Sequence, residues 1–150
     1  MDAHVDCREL ERLVRRLEQS PQVLREARRK ALEEAASRLK GLVDREIGGT
    51  GRVRGWQAQA VGSGGGYAAV RPRAGTYAQD RRGRPTKYTV GCVTGAVNSG
   101  HRVRPDRFGY RRSAPVQGKG FYQRAQAQAG QAAQQAAEEI LQALADHLEG

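Results

Sequence analysis

Acidic side chains are almost missing from the middle of this 150-residue chain. Between Arg52 and Arg124 the only carboxylates are Asp80 and Asp106, while the same stretch carries 15 Lys and Arg. A two-metal nuclease needs several convergent carboxylates, so this distribution argues against that chemistry. Cysteine is scarce as well. Cys7 and Cys92 lie in different segments without a C-x-x-C spacing, which suits two unpaired, partly buried thiols in a reducing compartment. His4, His101 and His147 are scattered without a second ligand three or four residues away, so no metal is expected, nor any other cofactor. No run approaches the ~20 consecutive apolar residues of a membrane span. Met1-Asp2-Ala3-His4 is acidic and leads into no apolar h-region, so no signal peptide is expected and the chain reads as soluble and intracellular when made.

Large apolar side chains are few. Aromatics are 5% of residues, and Ala supplies much of the 38% apolar fraction. Ordering each residue costs about 1–2 kcal/mol in backbone entropy, whereas burying a Leu or Phe returns roughly 1.5–3 kcal/mol. A lone copy is therefore marginal, and other copies or other proteins are expected to cover part of its surface. The length suits a single domain over 1–150.

What is present is a segregated charge. The overall +10 divides into near-neutrality over residues 1–50, +13 over 51–124 and −4 over 125–150. Charge gathered in this way points to a polyanion or an acidic protein surface as partner.

Hydrophobic spacing gives the elements. A short charged helix is expected within 1–20, with Leu10, Val14 and Leu17 at helical intervals. Ser20-Pro21 then reads as a restart, with Ser as cap and Pro in the first turn. A long helix follows over 21–47, its stripe running from Leu24 through Ala31, Ala35 and Val43 to Ile47, and Gly48-Gly49 ends it. Over 51–100 the period falls towards two. Trp56–Val61, Tyr67–Arg71 and Tyr88–Val93 read as strands, with Ser63–Gly66 as the loop between the first pair. Trp56 and Tyr67, on strand positions, are expected in the core. The region 101–119 is a basic loop, and 120–148 forms a C-terminal helix with Phe121, Ala125, Ala132, Ala136, Ile140 and Leu144 on one stripe. The fold class is α+β: a small antiparallel sheet of three to four strands packed with two long helices.

Two long basic segments lie outside the predicted strands. Pro72–Lys87 holds Arg73, Arg81, Arg82, Arg84 and Lys87; His101–Lys119 holds Arg102, Arg104, Arg107, Arg111 and Arg112. Segments of this length are functional or order on binding. Three readings stay open for these ten side chains: a solvated surface, contact with an acidic protein, or non-specific contact with DNA phosphates. Gly62–Gly66 is not a phosphate cradle, because no Gly-Lys-Ser/Thr follows it. Ser99 beside His101 has no nearby carboxylate to complete a triad.

Three short motifs carry a family resemblance: Thr50-Gly51-Arg52-Val53 after the long helix, Ala96-Val97-Asn98-Ser99-Gly100-His101, and Ala114-Pro115 followed by Gly120-Phe121-Tyr122. Over roughly Leu24–Leu148 the chain resembles the gene-product-ten-like family of siphophage neck and minor tail components. Five residues separate Pro115 from Phe121 here, where the family places the Pro-Phe pair together. The resemblance implies a non-enzymatic virion protein of the head–tail junction or tail terminus. It implies a homo-oligomeric ring with connector, tail-tube or tail-terminator proteins as partners and genome DNA passing through. Such a protein would be found in the host cytoplasm during assembly and then in the virion. No membrane and no small-molecule substrate are expected. The competing class is a non-specific nucleic-acid-binding protein that uses the basic loops as arms.

Overall fold

A computed structural model describes residues 8–49, 51–101 and 115–149. Its first element is one 40-residue helix, α1 (Arg8–Ile47), with Pro21 in its interior. The expected break at Ser20-Pro21 does not occur. Ser20 Oγ, rather than capping a new helix, donates back to the Arg16 carbonyl at 2.9 Å. The turn before Pro21 is also held from outside: Arg16 Nη1 donates to the Leu148 carbonyl at 3.0 Å. His147 Nε2 lies 2.8 Å from the Arg16 carbonyl, which places the imidazole proton on Nε2. These contacts carry the helix past a residue that cannot donate to the Leu17 carbonyl. Pro21→Ala is accordingly expected to raise stability by about 1–3 kcal/mol, the interior-Pro penalty less what packing has already absorbed. A urea midpoint that falls would show that Pro21 sets the helix's course.

After α1 come a single helical turn, α2 (Arg52–Gly55), and the expected hairpin, β1 (Gln57–Val61) with β2 (Ala68–Pro72). The pair is antiparallel, in register from Gln57↔Pro72 to Val61↔Ala68. A second hairpin, β3 (Tyr77–Gln79) with β4 (Pro85–Thr89), occupies most of the first basic segment. The predicted third strand is corrected after Thr89, where the chain enters helix α3 (Val90–Ser99). Thr89 Oγ1 accepts from the Cys92 amide at 3.2 Å and so caps that helix. Val90, Thr94 and Asn98 recur every fourth residue and are buried while Cys92 between them is exposed, whereas on a strand all four would share one face. Two short strands, β5 (Gly100–His101) and β6 (Val116–Gln117), pair across the second basic segment. The C-terminal helix is broken into α4 (Phe121–Ala127) and α5 (Gly130–Glu149), the join closed by i→i+3 bonds from the Gln128 and Ala129 amides.

The architecture is thus α+β with a long N-terminal helix and a C-terminal helix. The small sheets differ from expectation: among the described residues, three separate two-stranded antiparallel ladders stand where a sheet of three or four strands was expected. Polar or single-sided strands such as Tyr77–Gln79 offer no second edge worth burying.

α4 and α5 run back along α1. Ala31 and Ala35 of α1 meet Ala136 and Ile140 of α5, with Ala68 of β2 beside them. Small residues let the backbones approach closely. The larger cluster lies at the other end of α1, where Val43, Ile47, Val53, Phe121 and Ala125 pack with Trp56, Val70 and Val97 around them. Trp56 thus joins the core as expected. Tyr67 does not: it is exposed, and its ring covers Gly62, where a Cβ would sit 2.5 Å from the ring.

Two polar clasps complete the packing. Gln57 is buried, its Nε2 donating to the Val53 carbonyl at 3.0 Å and its Oε1 accepting from the Tyr122 hydroxyl. Asn98 Oδ1 accepts from the Tyr122 amide at 3.0 Å. Burial pushes the Tyr122 phenol up to about 12. On the outside, Glu46 accepts from Arg124 Nε at 2.7 Å and Gln128 Nε2 at 2.8 Å. Those bonds, Arg124 first, hold its carboxyl below the ordinary 4.5. A carboxyl depressed in the folded state contributes stability above its unfolded value and loses it as pH falls through its folded value. The wild type is therefore expected to lose its advantage over Glu46→Gln as pH drops below 4.5. Urea midpoints that stay parallel from pH 7 to about 3, spanning the ordinary carboxylate range, would rule this out.

Candidate polyanion and partner interface

The β3–β4 hairpin turns the first basic segment into an ordered arm. Its strands are polar, so local chemistry at the turn has to hold them. Asp80 Oδ1 accepts from the Arg82 amide at 2.8 Å and the Arg84 amide at 2.9 Å. The Asp80 amide donates to the Arg84 carbonyl at 2.9 Å. Gly83 supplies the positive φ, 78°, that the turn requires. The carboxylate of the segment's lone acid is thereby aimed at backbone amides, while Arg81, Arg82 and Arg84 stand exposed around it.

The arm is braced at both ends. Arg52 of α2 reaches across and donates through Nη1 to the Gln79 and Asp80 carbonyls, at 2.8 and 3.0 Å. At the root the Val90 amide donates to the Thr76 carbonyl at 2.8 Å. Arg73 sits at this root, exposed, and its amide continues the β1–β2 pairing to the Trp56 carbonyl. Lys87 lies midway along β4 with Nζ 5.3 Å from the centre of the Tyr88 ring, within cation–π range. Of the five basic residues expected from the first segment, Arg81, Arg82, Arg84 and Lys87 therefore belong to one hairpin, and Arg73 lies at the end of the other.

The other five, Arg102, Arg104, Arg107, Arg111 and Arg112, lie outside the described residues. What the structure does give is the frame on either side of them. His101 pairs with Val116 and Gly100 with Gln117, so the two ends of the segment leave from adjacent strands. Gly100 and Gly118 cross in backbone contact: a Cβ on Gly118 would lie 2.3 Å from the Ser99 carbonyl carbon, and one on Gly100 would lie 2.5 Å from the Gly118 amide nitrogen. The amides of Lys119 and Gly120 donate to the Val97 and Asn98 carbonyls at 2.9 and 2.8 Å, locking the crossing to α3.

Comparison with known proteins adds no relative. No protein-family model, curated protein or solved structure matches the chain. The arm and the loop root are therefore read from their own chemistry.

Between them runs an apolar groove of about 390 Å³. It is lined by Tyr88 of β4, by Cys92, Val93, Ala96 and Val97 of α3, and by His101 and Val116 of the β5–β6 pair. Cys92 is exposed there with a free thiol, where partial burial was expected. Tyr77, Tyr88 and Val116 are each about half exposed. Sequence reasoning missed the groove because it took 88–93 as a strand, and it missed the bracing role of Arg52, for which no local pattern gave a signal. Among the described residues no group of three or more His, Cys, Asp or Glu side chains could hold a metal ion, and no helix is long and apolar enough to cross a membrane.

Proposed function

We propose that this chain is a structural component of a tailed-phage head–tail junction or tail terminus, a neck or tail-completion protein that works by ring assembly. The observation that carries the reading is the braced β3–β4 arm, which presents Arg81, Arg82 and Arg84 while Asp80 is tied into the turn. Guanidinium groups on a held backbone can meet phosphate oxygens or carboxylates in no particular sequence, as a channel for genome DNA or an acidic neighbouring ring requires. The thin core agrees with a subunit completed by neighbours. The residues that carry the family likeness add support: Gly51, Gly100 and Gly120 all have positive φ at the joints between elements, and Phe121 is fully buried.

The test is the triple change Arg81→Glu, Arg82→Glu, Arg84→Glu in an otherwise intact phage or prophage. Its side chains are exposed, so the fold should survive. Heads and tails should both assemble yet fail to join, with infectious particles falling at least a hundredfold. Normal titres would remove the arm from the proposal. The same change at Arg104, Arg107, Arg111 and Arg112 asks the question of the second segment.

A second reading, a non-specific nucleic-acid-binding protein, is favoured by the exposed Tyr77 and Tyr88 on the same hairpin as this charge, since aromatic faces stack on bases. It predicts tight duplex or single-strand binding by the isolated chain. If each of the three arginines neutralises one phosphate, the triple variant should flatten the slope of log K against log salt by about 2 to 3.

A further inference from the structure

We propose that the first third of α1, up to Ser20, is a lever that hinges at Ser20-Pro21 and is latched straight by the last turn of α5. The same residues then have two arrangements. One is the continuous helix described above; the other is broken at Pro21, with the second part of the helix starting afresh.

Little besides the latch holds the lever in line. Among the described residues, α1 has no buried side chain before Ala31, and Leu13, Val14 and Leu17 are 43%, 45% and 51% exposed. The hydrogen bonds described here that leave this stretch for another element all end on one turn of α5: Arg16 Nη1 donates to the Leu148 carbonyl, and His147 Nε2 to the Arg16 carbonyl. Within the helix the next link is missing, because Pro21 has no N–H for the Leu17 carbonyl and its ring crowds that group. Sharp bends in helices arise at such residues.

The broken form has stabilising contacts of its own. In the straight helix Ser20 Oγ donates to the Arg16 carbonyl, a bond that adds no link across Pro21. Released from it, the same oxygen is free to accept from the amide of Gln22 or Val23 as an N-cap, with Pro21 in the first helical position, where its missing N–H costs nothing. Arg25 Nε already donates to the Pro21 carbonyl at 3.2 Å, a contact that stays on the body's side of the hinge. The latch is therefore set against a cap and a relieved proline, and the balance depends on whether the end of α5 is in place. A partner that takes up the final turn of α5 frees the lever and re-aims Leu13, Val14 and Leu17. By the same linkage, a partner that holds them in line with Leu24 tightens the latch.

Distance reads the hinge. In the full chain carrying Cys7→Ser and Cys92→Ser, spin labels at Arg12→Cys and Ser37→Cys, both exposed positions, lie about 38 Å apart along a straight helix. Double electron–electron resonance should give that distance as the main one. Removing the latch with Arg16→Ala and His147→Ala should raise the ratio of bent to straight molecules about tenfold, the worth of a hydrogen bond or two. The bent form should appear as a second distance of roughly 28–33 Å, that of a bend of about 60–90°. Adding Pro21→Ala to this variant should restore the single long distance. Adding Ser20→Ala instead should lower the bent ratio about fivefold, the usual worth of a cap. Circular dichroism should show the helix content kept throughout. A variant without the latch that retains the parent's distance, or a short distance that survives Pro21→Ala, would overturn the proposal. So would a fall in helix content on losing the latch, which is melting rather than hinging. Hydrogen exchange on the unaltered chain checks the hinge without any substitution: the Gln22 amide should exchange at least tenfold faster than those of Gln19 and Ala27. A smooth gradient from the start of α1, with no step at Gln22, would equally overturn it.

Discussion

Phe121→Ala should cost about 3–5 kcal/mol, the usual penalty for emptying a large core site, and leave a chain with little or no cooperative unfolding transition. Phe121 is fully buried at the first position of α4, its ring 4.6 Å from that of Tyr122 and tilted by 52°. Val43 and Ile47 of α1, Val53 of α2 and Ala125 close around it. Seven of the twelve buried hydrophobic residues described are Ala, so few neighbours have side chains long enough to fall into the vacated space. Total stabilities of such domains are about 5–15 kcal/mol, which makes the loss a large share of the whole. Urea unfolding followed by circular dichroism measures it. Leu141→Ala, at an exposed site, is the matched control and should move the midpoint little. A Phe121→Ala midpoint close to the parent's would mean that the fold is held elsewhere.

The second large effect is expected where two backbones cross. Gly118→Ala puts a methyl 2.3 Å from the Ser99 carbonyl carbon and 2.6 Å from the Asn98 oxygen and the Gly100 nitrogen. All three are main-chain atoms and cannot rotate away as a side chain would. Overpacking of this kind costs about 1–3 kcal/mol. Gly100→Ala meets the reciprocal clash and adds strain, because φ 76° with ψ 176° is a region open in practice to glycine alone. Both variants should part β5 from β6 while α1 and α5 stay paired. Hydrogen exchange resolves this: the Lys119 and Gly120 amides, bonded to the Val97 and Asn98 carbonyls, should lose protection, whereas those of α1 around Ala35 should keep it. Unchanged protection at 119 and 120 would contradict the account.

The long helices and the first hairpin could be read from the chain because each has a strong local cause. Ala31, Ala35, Val43 and Ile47 keep helical spacing, and Ser63-Gly64-Gly65-Gly66 interrupts two alternating runs. Pro21 misled because its local preference for a first turn is outweighed by the Arg16 contacts with His147 and Leu148, more than a hundred residues away in sequence. α3 was hidden for a related reason. Val90, Val93, Thr94 and Val97 favour strands in isolation, and the inward repeat of Val90, Thr94 and Asn98 includes two polar residues that an apolar pattern passes over. The second hairpin has strands of Tyr-Ala-Gln and Pro-Thr-Lys-Tyr-Thr, too polar to announce themselves, although Asp80 followed three residues later by Gly83 was a usable turn signal. Of the proposed interface, the sequence supplied the charge but not its arrangement. That Arg81, Arg82, Arg84 and Lys87 share one braced projection follows from a turn and from Arg52, and neither leaves a periodic trace.

The pairing of His101 with Val116 has a consequence for what can be built at this place. Antiparallel neighbours lie roughly 5 Å apart, so an insert placed between them would start and finish at nearly the same point. Doubling the length of such a closed span costs only about 0.6 kcal/mol. The position is therefore a natural graft point, where an epitope, a fluorophore peptide or a longer cationic tether could be spliced in without disturbing the frame that carries it.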